Sequence, residues 1–101
     1  MQDWLRLGGR PTLVFGAGGL GGASALSLAA AGARVALTDV NTENLDAVVR
    51  AAKEAGHDIK PLVADLRTAD GCRAAVREAL GLVGTPQIFV HARVRRWRWP
   101  S

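Results

Sequence analysis

A chain of 101 residues, 49% apolar and 22% charged, has the length and composition of one globular domain, which excludes a second domain and a disordered chain. Its single cysteine, Cys72, excludes an internal disulfide, and no His or Cys cluster has metal-ligand spacing, so a reducing, cytoplasmic setting without a metal is expected. The net charge of +4 is local: residues 1–92 carry nine acidic and nine basic side chains, and the excess lies in Arg93, Arg95, Arg96 and Arg98 of RVRRWRWPS.

The leader MQDWLRLGGRP is polar and lacks the charged-then-apolar order of a secretory signal. PTLVF, residues 11–15, is a short apolar run that stops abruptly at glycine and reads as a buried strand. The run from Leu20 to Ala31 is alanine-rich and closes at Gly32, a natural helix stop. Residues 11–33 carry no charge, and Gly18 and Gly22 fit a small-xxx-small pattern. Glycine, alanine and serine nevertheless make the run too weakly apolar for a membrane span, and strand, turn and helix describe it better.

RVALTD, residues 34–39, is a second strand. After it Asn41 can cap an amphipathic helix with Leu45, Val48, Val49 and Ala52 on one face and Gly56 as its stop. IKPLVAD, residues 59–65, is a third strand, and Pro61, which cannot donate to a ladder, assigns it to a sheet edge. Thr68 can cap a further helix with Cys72, Val76, Ala79 and Leu80 on one side. QIFVHA, residues 87–92, follows GLVGTP as a fourth strand. Strands alternating with helices at this spacing mean an α/β fold: a parallel sheet with helices on its faces and right-handed crossovers.

Five glycines crowd into residues 16–22, between the first strand and the first helix. Gly16, Gly18 and Gly21 spell G-x-G-x-x-G, a turn in which successive glycines allow a tight bend, close approach of backbone to a pyrophosphate and close helix–strand packing. The exposed N–H groups of the helix start, at Gly19, Leu20 and Gly21, then face the phosphates. Asp39 ends the second strand, 18 residues after Gly21, where a carboxylate can accept from adenosine ribose hydroxyls. The bland alternative gives the glycines to packing and Asp39 to the start of the next helix. The full register favours a dinucleotide, and the acid favours NAD over NADP because it would repel a 2′-phosphate. Arg34 begins its strand, far from that ribose.

Three stretches, LVFGAGGLGGASALSLAAAGARVALTDVN, VADLRT and GTPQIFVHA, resemble the short-chain dehydrogenase/reductase family over roughly residues 7–92. The resemblance implies a three-layer half-Rossmann fold with a four-stranded sheet in the order 3-2-1-4. It implies an adenine contact at Asp65, with Leu66 beside it; the alternative for Asp65 is a cap on the turn into the next helix. Two departures stand out. Phe15 replaces the family's threonine and the glycine turn is one residue tighter, and ARVRRWRWPS stands where the family's Asn-Ala-Gly motif is expected.

By resemblance, hydride exchange between NAD and an alcohol or carbonyl uses a Ser, Tyr and Lys set, with tyrosine as the proton carrier. This chain has no tyrosine, and its lysines are Lys53 and Lys60, neither placed for the task. His91, closing the fourth strand, has no visible orienting partner, so no catalytic residue is assigned. His57 reads as a solvated helix end and Cys72 as core. The expected domain is therefore a partial NAD-binding unit over residues 1–92, marginal in isolation, with residues 93–101 as an unstructured Arg/Trp tail. Three functions stay open: the cofactor half of an oxidoreductase, a non-catalytic dinucleotide-binding fragment, and an interaction protein using the tail on nucleic acid or a membrane surface.

Overall fold

The computed structural model describes residues 8–65 and 67–91. They form β1 (Pro11–Phe15), α1 (Leu20–Ala30), β2 (Arg34–Asp39), α2 (Thr42–Glu54), β3 (Ile59–Val63), α3 (Ala69–Val83) and β4 (Ile88–His91). All strand pairs are parallel, and the sheet order is β3-β2-β1-β4, as the resemblance implies. Pro61 lies on the edge strand β3, opposite Leu37, where a missing donor costs the sheet least.

Strand alternation sorts the core into two layers. Val14, Val35, Leu37 and Ile59 pack on one face against Ala25 and Ala29 of α1 and Leu45 and Ala52 of α2. Leu13, Phe15, Ala36 and Leu62 pack on the other against Ala75, Ala79 and Val83 of α3. The result is three layers, helices on both sides of the sheet. Fully buried Leu13, Leu37, Leu45 and Ile59 each contribute roughly 1.5–3 kcal/mol by leaving water.

Helix ends follow the sequence signals. Asn41 Oδ1 accepts from the N–H of Asn44 at 3.1 Å, and Thr68 Oγ1 accepts from that of Gly71 at 2.9 Å, so both expected caps form. At the end of α1 the Gly32 and Ala33 N–H groups donate to the carbonyls of Ala29 and Leu28, a Schellman closure, and Gly56 and His57 repeat it on Lys53 and Ala52 behind α2.

The third helix departs from expectation. It runs through Gly81 to Val83, and its buried stripe is Ala75, Ala79 and Val83, so Leu80 faces outward and Cys72 is only half-buried. A core site for Cys72 is thereby corrected to the margin of the helix. The expected tail, residues 93–101, and Leu66 lie outside the described residues. Among the described residues no helix is long and apolar enough to cross a membrane.

Candidate dinucleotide site at the carboxyl edge of the sheet

Parallel register brings the ends of β1, β2 and β3 to one edge: Phe15 pairs with Thr38, and Asp39 with Val63. Gly16 extends the first ladder by donating to the Thr38 carbonyl at 2.7 Å, and Ala64 extends the second by donating to that of Asp39 at 3.2 Å. The glycine turn, Asp39 and Asp65 are therefore neighbours along a single rim. Arg34 opens β2 at the opposite edge, as expected. His91 closes β4 beside Phe15 on the rim, but its side chain lies outside the described structure.

Between β1 and α1 the chain turns through Gly19, whose φ of 52° and ψ of −114° belong to no ordinary conformation of a residue with a Cβ. Gly18, Gly19 and Leu20 are exposed, with Leu20 66% accessible. Whereas Asn41 and Thr68 cap α2 and α3, α1 starts with no side-chain cap and no acid in its first turn. Among the described residues no acceptor meets the N–H groups of Gly18, Gly19 or Leu20. A helix N-terminus carrying about half a positive charge and unpaired donors is an anion cradle.

Gly21 and Gly22 are both buried on α1. A β-carbon on Gly22 would stand 2.7 Å from the carbonyl oxygen of Ala17 and 2.9 Å from Val48 Cγ2. Helix α1 therefore pinches its own turn and α2 at Gly22, which the G-x-G-x-x-G spacing passed over. The doubled glycine at 21–22 was the signal available in the sequence.

Asp39 is half-buried, and both its oxygens already hold backbone: Oδ2 accepts from Ala17 at 2.8 Å and Oδ1 from Asn41 at 3.0 Å. It thus ties the glycine turn to the start of α2, and each oxygen retains a further lone-pair direction. Asp65 takes the turn geometry that was its alternative role. Its Oδ1 accepts from the backbone N–H and the Nε of Arg67, both at 3.0 Å, and its Oδ2 from a terminal guanidinium nitrogen at 3.1 Å. This hydrogen bonding, then the carboxylate's charge, raises the Arg67 guanidinium above its already high range. Lys60 pairs with Asp58 at 2.8 Å, and Lys53 lies in the last turn of α2, so neither lysine is at the rim. Among the described residues no His, Cys, Asp and Glu group could hold a metal.

The chain matches the family model for short chain dehydrogenases over residues 11–92. It belongs to the short-chain dehydrogenase family. Solved short-chain dehydrogenases and their relatives superpose closely. A dehydrogenase/reductase from Sinorhizobium meliloti is 37% identical over 89% of this chain and 36% of its own, with a TM-score of 0.82. A hydroxysteroid dehydrogenase from Escherichia coli is 30% identical over 88% of this chain and 38% of its own, also at 0.82. A metagenomic short-chain oxidoreductase in complex with NADP is 33% identical over 82% and 38%, at 0.75. No curated protein matches. The chain thus spans little more than a third of each of these structures.

Proposed function

We propose that this chain binds NAD(H) as the cofactor-holding part of a short-chain dehydrogenase type of oxidoreductase. One observation carries the reading: α1 alone of the three helices among the described residues begins uncapped, at an exposed glycine turn on the carboxyl edge of the sheet. In this reading the N–H groups around Gly18, Gly19 and Leu20 hold the diphosphate, Gly16 and Gly21 shape the turn beneath it, and Asp39 accepts from the adenosine ribose. Asp65 contacts the adenine, with Arg67 restraining its carboxylate. Asp39 also favours NAD over NADP, since a 2′-phosphate would be set against a half-buried carboxylate. NAD when bound supplies hydride transfer, while the chain's residues bind it and fix its orientation.

A second reading, binding without turnover, is favoured by the absence of any tyrosine from the 101 residues and by the distance of Lys53 and Lys60 from the rim. Both readings share one site. Calorimetric titration of the whole chain with NADH and NADPH, beside Gly18→Val and Asp39→Ala, tests it. Saturable binding of NADH over NADPH, abolished by Gly18→Val and with its preference erased by Asp39→Ala, is the expected result. Absence of heat from a folded sample would leave the glycine turn as a packing device. The third function considered, through the Arg/Trp tail, concerns residues outside the described structure.

A further inference from the structure

Asn44 occupies the third position of α2, where a polar side chain ordinarily reaches back to the N–H of the capping residue. Here that donor, the N–H of Asn41, is already taken by Asp39 Oδ1 at 3.0 Å. The Asn44 side chain is half-buried and turned across the seam between the helices, so that a β-carbon on Gly18 would lie 3.4 Å from its Nδ2. Among the described residues this amide has no hydrogen-bond partner. Its position is fixed from below, because Leu45 is buried and Val48, one turn on, closes against Gly22. A neutral amide with two donors thus stands beside the second glycine of the turn, across from the ribose-facing carboxylate.

Resting on the dinucleotide reading above, we propose that Asn44 anchors the cofactor, donating from Nδ2 to the adenosine-side phosphate while Asp39 accepts from the adjoining ribose. The contact lies wholly on the adenosine side, so it acts on ADP-ribose and NADH alike. The test is calorimetric titration of the whole chain with ADP-ribose and NADH, using wild type, Asn44→Ala and Asn44→Asp, with thermal melting as control.

Asn44→Ala is expected to weaken both ligands by the same factor, about tenfold to hundredfold, the range of one hydrogen bond to a charged acceptor. Asn44→Asp should weaken them further, because it removes the donors and adds charge beside the phosphate. It should melt no lower than wild type, since an acid suits a first helical turn. Wild-type affinity in either variant, or a loss confined to NADH, overturns the role of Asn44 and leaves the site itself standing. A folded wild-type chain that binds neither ligand overturns the dinucleotide reading and this one together.

Discussion

Both carboxylate oxygens of Asp39 are engaged by backbone donors, one in the glycine turn and one at the next helix, so the residue ties the rim together before any ligand arrives. Asp39→Asn can replace only one of those acceptors and places a second donor against an N–H group. The expected loss is about 1–2 kcal/mol of stability in urea unfolding, in line with an unsatisfied partly buried donor. One residue back, Thr38 is fully buried on the α3 face, and among the described residues its Oγ1 finds no hydrogen-bond partner. Thr38→Val keeps the shape and removes the orphan, so the unfolding free energy in urea should rise by about 1 kcal/mol. Gly22→Ala is expected to have the opposite sign. Its methyl would meet a backbone oxygen that cannot swing away, and a cost of about 1–3 kcal/mol with loss of NADH binding should appear in paired denaturation and titration.

At the scale of elements, the caps are the cheapest features to test. Removing the side-chain acceptor in Asn41→Ala or Thr68→Ala should cost about 1 kcal/mol each in urea unfolding. Asn41→Ala should also weaken NADH binding, because it loosens the helix that Asp39 steadies, whereas Thr68→Ala should leave that affinity unchanged. The first two strands were legible residue for residue, since PTLVF and RVALTD are apolar runs bounded by glycine and polar residues. The caps at Asn41 and Thr68 and the glycine stops were equally plain, because each is a local side-chain or backbone preference. What escaped the sequence was set by tertiary packing. Gly81 is tolerated inside α3, and the stripe through Ala75, Ala79 and Val83 fits close to the sheet, so small residues were chosen there over the larger Leu80. Gly22 and Asn44 are informative only once α1 and α2 lie side by side, a relation no spacing within one helix can state.

For the whole molecule, protection should follow the sheet from its centre outward. The amides of β1 and β2, each paired on both sides, should exchange with solvent most slowly, and those of β4 fastest among the strands, in hydrogen-exchange measurements on the whole chain. Cover is uneven as well as pairing. On the α3 side Phe89 stacks on Phe15 with ring centroids 6.4 Å apart yet remains 54% exposed, because α3 packs on β1, β2 and β3 and not over β4. The opposite margin is differently made: β3 carries Pro61, without an N–H to offer, and the exposed charge of Lys60, two common devices for keeping foreign strands away. Among the described residues the two edges of the sheet are therefore unequal. A further strand is disfavoured at β3 by Pro61 and Lys60 and meets an aromatic surface at β4, which gives assembly on this scaffold a built-in polarity.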